Sequence, residues 1–368
     1  MWIETILFSI QVFFAAVIFY LTIRMLVGRK PPLFTDKTFH ISVVIPFRNE
    51  AKNLPALLES LAAQDYKGTY DVLLVNDQSS DNFTEVLKSL KNTFPGLDLH
   101  CLNSTYRENI KLTSKQQAID YGIQHATGDW IALTDADMVL DANWLSTLTR
   151  ATGKSFSITY GHTVTLNDTP SFFYTFQAFQ LEFLFIAAYA FHCAGLKGSC
   201  MGNNMLVAKN TYTAVGGQAG IGYSIVEDVD LLNTVIKKGY AATASSPFTP
   251  TARTYPCKTV SHFFHQALRW IRGGARASSS LRSAMALYGL QNIIFLLSVC
   301  GLLPAPILWA SIATVILLGI FVHIGTIKTG SQKSILFYPV FYLVSIFETL
   351  IMLFPALFIS PVWKQRKL

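Results

Sequence analysis

Charge is scarce in this sequence. Asp, Glu, Lys and Arg make up 14% of its 368 residues and hydrophobic residues 51%, a balance too apolar for an ordinary soluble enzyme. Regularly spaced cysteines are also missing. The five present, at 101, 193, 200, 257 and 300, show no CxxC or paired spacing, which fits a reducing compartment and argues against a structural zinc site. No internal repeat, low-complexity segment or nucleic-acid-binding module is recognisable. The net charge of +7 is gathered beside apolar runs instead: Arg269, Arg272, Arg276 and Arg282 in one cluster, Lys364, Arg366 and Lys367 in another. That distribution suits anchoring to anionic lipid and leaves no nucleic-acid partner to expect.

Long hydrophobic runs are what the sequence does have. "ILFSIQVFFAAVIFYLTIRMLV" (6–27) is long enough to cross a bilayer, with no basic region before it and no small-residue cleavage site after it. A second block covers about 284–324, broken at "GLLPAP", and a third about 335–360. These predict one N-terminal span and three C-terminal ones: an anchor over 1–30, a catalytic domain over 31–282 and a membrane region over 283–368. "MWIET" carries no basic residue while Arg24, Arg29 and Lys30 follow the first span, so the central domain is expected in the cytoplasm. One conflict stands. Lys328 and Lys333 put the loop before the last span inside, so a single final crossing would leave the basic "WKQRKL" outside. With Pro339, Glu348 and Pro355 the block has features of a kinked or re-entrant segment, but one crossing is the expectation adopted.

Between the runs, strand and helix patterns alternate. "HISVVIPFRNE", "YDVLLVNDQSSD", "DLHCLN" and "DWIALTDAD" read as strands, and "NEAKNLPALLESLAAQ", about 82–90 and "SKQQAIDYGIQHA" as helices. The alternation predicts an α/β domain with a mainly parallel sheet, and such sheets bind ligands beyond the carboxyl ends of their strands. The polar tips at 48–50, 76–81 and 135–137 would gather there. In "IALTDADMVL", Asp135 and Asp137 would share one side of a strand end and repel each other unless a cation or donors lay between them.

"VVIPFRNEAKNL", "VNDQSSD", "GDWIALTDAD" and "VEDVDL", in this order, resemble the GT-A-fold family 2 glycosyltransferases. "QALRW" (266–270) is similar to the QxxRW motif of the membrane-embedded branch that includes cellulose, chitin and hyaluronan synthases and ceramide glucosyltransferases. The likeness covers roughly residues 40–275.

The resemblance implies that Asp135 and Asp137 hold Mg2+ or Mn2+ against the diphosphate of a nucleotide sugar, through the carboxylate oxygens that hard cations prefer. It implies that Asp77 bonds the base, that Pro46 and Glu50 flank base and ribose, and that Lys115 lies near the diphosphate, although Ser114 stands where Gly is usual. Asp228 would be the base that deprotonates the acceptor, beside Glu227, with Val226 replacing the usual hydroxyl residue. Arg269 would steady the leaving diphosphate, Gln266 and Trp270 would border the acceptor, and Asn203 and Asn204 in "GSCMGNNMLVAK" would line it. "SFFYTFQAFQLEFLFIAAYAFHCAG" reads as a helix lying in the membrane plane.

Each feature also has a plainer account. The DxD could close a strand as an acidic turn, Asp77 and Asp81 could cap the next helix, and Lys115 could be a solvated helix lysine. Glu227 and Asp228 could simply complement a helix dipole, and "HQALRWIRGG" could be only an anchor. The expected function is that of an inverting glycosyltransferase carrying a sugar, from UDP in the first instance, to a lipid hydroxyl at a bacterial inner (plasma) membrane. A processive polysaccharide synthase, a polyprenyl-phosphate sugar synthase and a catalytically silent nucleotide-sugar-binding scaffold remain alternatives.

Overall fold

The computed structural model describes residues 2–28, 37–106, 111–152, 156–166, 171–245, 250–274, 278–329, 335–353, 355–363 and 366–367. The expected domain boundary at 30/31, and Arg29, Lys30, Arg276, Lys333 and Lys364, lie outside them. Helix α1 (Trp2–Val27) precedes a regular alternation: β1 (Ile41–Phe47), α2 (Leu54–Ala62), β2 (Tyr70–Asn76), α3 (Phe83–Thr93), β3 (Leu99–Asn103), α4 (Ser114–His125) and β4 (Trp130–Leu133). The chain continues through β5 (Met138–Leu140), α5 (Trp144–Thr152), β6 (Ile158–Tyr160), β7 (Thr163–Thr165) and the long α6 (Phe172–Ala194). Then come β8 (Met205–Ala208), short α7 (Lys209–Ala214) and α8 (Gly217–Ile221), α9 (Glu227–Lys237), β9 (Ala242–Ala244), β10 (Ala252–Thr254) and α10 (Val260–Gly274). Helices α11 (Ser279–Val299), α12 (Ala305–Lys328) and α13 (Tyr338–Leu353) follow.

The α/β expectation holds. The main sheet has the order β3-β2-β1-β4-β8-β6-β9, with β8 antiparallel to both β4 and β6 and the other pairs parallel. A small sheet, β5-β10-β7, was not legible from the sequence because its strands are three residues each.

Apolar residues on both faces of β1, β2 and β4 create two cores. On one face Val43, Ile45, Leu74 and Ala132 meet Leu54, Leu58 and Leu61 of α2 and Trp144 and Leu148 of α5. On the other, Val44, Val75 and Ile131 meet Ile119 and Ile123 of α4 and Leu231 and Val235 of α9. A third core joins the membrane helices: Phe14, Ile18 and Met25 of α1 with Phe179 and Ile186 of α6, Phe321 of α12 and Phe341 of α13.

Four helical segments are long and apolar enough to cross a membrane: Trp2–Val27, Ser279–Val299, Ala305–Lys328 and Ile335–Met352. This agrees with one N-terminal and three C-terminal apolar helices. The break at "GLLPAP" is a turn through Gly301 at φ +73°, with Pro304 as the N-cap of α12. Helix α6 is continuous over 23 residues, capped by the Ser171 hydroxyl at its start and by Gly195 at its end.

Candidate active site

The tips of β1 and β2 lock onto each other. Arg48 donates to the carbonyls of Asp77 and Gln78 at 2.8 and 2.9 Å, Asn49 N donates to Ser79 Oγ at 3.0 Å, and Ser80 N donates to Asn49 Oδ1 at 2.7 Å. Asn49 and Gln78 both adopt left-handed backbone, at φ 55° and 54°, a conformation that costs a non-glycine residue about 1–3 kcal/mol and gathers at functional sites. Asp81 does not cap α3. Its Oδ2 instead accepts from Ala51 N at 2.8 Å, while Asn82 occupies the cap position without a side-chain bond. Pro46 is buried in β1, and Glu50 is buried at the loop that follows, bonded to the Asn53 amide. Asp77 is 1% exposed, so a nucleotide base reaches it only if one of these loops moves.

The two DxD aspartates are not on the strand. β4 ends at Leu133, and Asp135 and Asp137 sit in the turn that leads into β5. The strand-face argument therefore gives way to a turn that brings the carboxylates toward α4 and α9. Burial, and then the neighbouring Asp135 charge, push the Asp137 pKa up to about 6.

Lys115 ties that turn to α9: its Nζ lies 2.9 Å from Asp135 Oδ1 and 2.9 Å from Glu227 Oε1. Its position follows from the start of α4. Thr113 and Gln116 form a reciprocal capping box, and the Gln116 amide also donates to Gly222 O at 2.8 Å and Gln218 Oε1 at 3.1 Å. The segment before α9 is thereby fixed to the start of α4. Burial opposes the Lys115 charge, but Asp135 and Glu227 outweigh it and raise its pKa. The plainer account of Lys115 as a solvated helix lysine is corrected: its side chain is 17% exposed and doubly paired.

Asp228 is held by the loop before β8. Gly202 N donates to Asp228 Oδ2 at 2.9 Å, and a Cβ at position 202 would lie 2.3 Å from Asp228 Cβ. Only glycine permits that approach. Burial, then the Glu227 charge, push the Asp228 pKa up to about 6. Val226, where the resembled family has a hydroxyl residue, packs on α10: a Cβ on Gly273 would lie 2.2 Å from Val226 Cγ1. Val226 itself stands at the N-cap position of α9 and makes no side-chain cap bond.

Of the QxxRW residues, helix α10 brings Arg269 to the same place. The Arg269 charge acts on Lys115, Asp137 and Asp228, and its Nε is buried without a hydrogen-bond partner among the described residues. Gln266 Oε1 accepts from the Cys257 thiol at 3.4 Å; burial pushes that thiol up to about 11. Trp270 is half-buried on the same helix.

Asn203 and Asn204 separate. Asn203 Oδ1 accepts from Thr163 Oγ1 at 3.0 Å and stays half-buried. Asn204 is fully buried: its Oδ1 accepts from Trp144 Nε1 at 3.0 Å, and its Nδ2 donates to His162 O at 3.0 Å and Thr251 Oγ1 at 3.3 Å. An acceptor-lining role for Asn204 is therefore corrected to one of bracing the Gly202 loop from below.

Sequence reasoning missed what lies behind that loop. His162 Nε2 lies 3.1 Å from Glu182 Oε2 on α6, and Thr329, just past α12, donates to Glu182 Oε1 at 2.6 Å. All three are buried, and the His162 ring stacks on Phe185 at 3.9 Å. The single available signal was Glu182 interrupting an apolar helix.

The donor set fits a divalent cation. The Asp135 and Asp137 carboxylates lie close enough for one charge to raise the other's pKa, and carboxylate oxygens are the donors that Mg2+ or Mn2+ would take. Among the described residues no cluster of three or more His, Cys, Asp or Glu side chains forms a self-sufficient metal cage.

Comparison with known proteins agrees with the α/β fold and shows the family. The family model described as Glycosyl transferase family 2 matches residues 42–228, just over half of the chain. A poly-beta-1,6-N-acetyl-D-glucosamine synthase of Staphylococcus aureus is 29% identical over 137 residues, covering 36% of this chain and 31% of that protein. An undecaprenyl-phosphate 4-deoxy-4-formamido-L-arabinose transferase of Yersinia pestis is 35% identical over 100 residues, covering 27% of this chain and 29% of that protein. The chain thus matches less than a third of the length of these curated relatives. A mannosyltransferase of Pyrobaculum calidifontis, solved with GDP-Man and Mn2+, superposes with a TM-score of 0.57 at 15% identity, over 96% of this chain and 99% of that one.

Proposed function

Because the chain belongs to glycosyl transferase family 2, we propose that it is an inverting, metal-dependent enzyme that moves a sugar from a nucleotide sugar, UDP-linked in the first instance, to the hydroxyl of a membrane lipid. The observation that carries the reading is the meeting of Asp228, Lys115, Asp137 and Arg269 at the junction of the catalytic domain with α10. The geometry supports one displacement. Asp228 takes the proton of the acceptor hydroxyl, and that oxygen bonds to the anomeric carbon from the side opposite the diphosphate. The bond from the anomeric carbon to the phosphate oxygen breaks, and its electron pair leaves with the nucleoside diphosphate. An α-linked donor then gives a β-linked product. Arg269 and Lys115 hold the departing phosphate oxygens, a role that suits the unpartnered Arg269 Nε. Asp135 and Asp137 would hold Mg2+ or Mn2+, which when bound neutralises charge on the leaving group.

The lipid acceptor is supported by where the site lies. Phe172 is exposed at the start of α6, and behind it Phe173 and Phe176 pack on Phe263 of α10 at 5.7 and 6.0 Å between ring centres, an aromatic surface suited to a lipid beside the site. Arg24, Arg29 and Lys30 after the first apolar run, against none before it, support a catalytic domain on the cytoplasmic face of an inner (plasma) membrane. The similarity to a polysaccharide synthase favours a second reading, processive synthesis. Incubating the membrane protein with a panel of nucleotide sugars and lipid extract, then sizing the product, separates the two. One or a few sugars on a lipid are expected; a ladder or high-mass polymer made by this chain alone would establish the processive reading.

A further inference from the structure

The chain leaves α12 and emerges after α13 on the same side of the bundle. Helix α12 delivers the chain to the catalytic domain, since Thr329 bonds Glu182 at 2.6 Å and Glu182 in turn meets His162 in the turn between β6 and β7. The next segment then lies deeper. Tyr338 Oη donates to Val315 O at 2.9 Å, and Val315 lies roughly 20 Å back along α12 from Thr329 at about 1.5 Å per residue. From there α13 passes α11 and α6. Tyr288 and Ser345 meet at 2.8 Å, Asn292 donates to Thr349 at 2.9 Å, and the Gln180 amide donates to both Glu348 oxygens at 2.8 Å.

Beyond α13 the chain comes back to the active-site helix. Arg272 Nε donates to Ala356 O at 3.0 Å, and Val362 N donates to His265 Nδ1 at 3.4 Å. Arg272 and His265 are both on α10, whose Gly273 touches Val226, two residues before Asp228.

We propose that this segment is re-entrant: it enters the membrane from the catalytic side and returns to it, so that α1, α11 and α12 alone cross. Two independent facts agree. Lys328 and Lys333 before the segment, and Lys364, Arg366 and Lys367 after it, then count on the side of Arg24, Arg29 and Lys30, and the charge conflict of a single crossing disappears. A carboxylate at membrane depth is costly unless it faces protein, and Glu348 faces Gln180 of α6 rather than lipid. The returning end also seats α10, which makes Arg272 a positioning residue for the helix that carries Gln266, Arg269 and Trp270.

The proposal rests on the proposed orientation only for the name of the side, and the experiment keeps the two apart. The full-length protein is treated with a membrane-impermeant maleimide in intact cells and after permeabilisation. Native Cys300, exposed between α11 and α12, reports the far side. A Cys300→Ser, Ser360→Cys protein reports the returning end, with Cys300→Ser alone as background. Expected is label on Cys300 in intact cells, and label on the Ser360→Cys protein above background only after permeabilisation. Label on both Cys300 and the Ser360→Cys protein in intact cells would put the two on one side and overturn the re-entrant path. Label in neither condition would also overturn it, because the path leaves Ser360 at the membrane surface. Label on Cys300 only after permeabilisation would reverse the orientation, and the path would then require the Ser360→Cys protein to label in intact cells.

Discussion

Gly202 and Asp228 touch: the Gly202 N–H donates to Asp228 Oδ2 at 2.9 Å, at a distance that leaves no room for a Cβ on residue 202. The loop before β8 thus sets where the candidate base points. Gly202→Ala is expected to push the carboxylate aside and lower transfer by about 10²-fold, the scale of loss when a reacting group is misplaced by about 1 Å. Nucleotide-sugar binding should persist, because the β1 and β2 tips are untouched. Steady-state kinetics check it; an unchanged turnover would mean that the contact does not position the base.

Asp135 and Asp137 are expected to make nucleotide binding depend on a divalent cation. Asp137→Ala should abolish turnover and remove the effect of added Mg2+ or Mn2+ on nucleotide affinity, read by calorimetry with and without chelator. Wild-type activity that survives exhaustive chelation would refute the metal role.

The acid limb of the pH profile offers a separate handle. The base must be deprotonated to act, and burial and Glu227 hold the Asp228 pKa up at about 6, so turnover should rise as pH rises through about 6. Glu227→Gln removes a like charge and should move that limb to lower pH. A limb that stays in place, or moves upward, would show that another group controls it.

Much of this was legible in the sequence, because the alternating β-branched and amphipathic stretches of residues 41–133 are locally consistent. The acidic, lysine and QxxRW motifs also announced themselves, and Asp135, Lys115 and Glu227 do meet. What the sequence hid was set by tertiary contact. Asn204 looks like a loop residue, yet its amide is used up on Trp144, His162 and Thr251. Asp81 stands where a helix cap is expected, yet bonds the neighbouring loop at Ala51. His162 and Glu182 are separated by 20 residues and pair only because α6 folds back beneath β6 and β7. The contact of Val226 with Gly273 of α10 is likewise invisible in the sequence, 47 residues apart.

The central claim is that Asp228 is the base of a glycosyl transfer, and Asp228→Asn tests it most directly. The variant keeps the shape of the side chain and removes its ability to take a proton. Measured side by side for nucleotide-sugar affinity and for transfer of labelled sugar to lipid, it should bind the donor as the wild type does while transfer falls by roughly 10²–10⁴-fold. Transfer near the wild-type rate would contradict the account and move the base to another group, with Glu227 first in line.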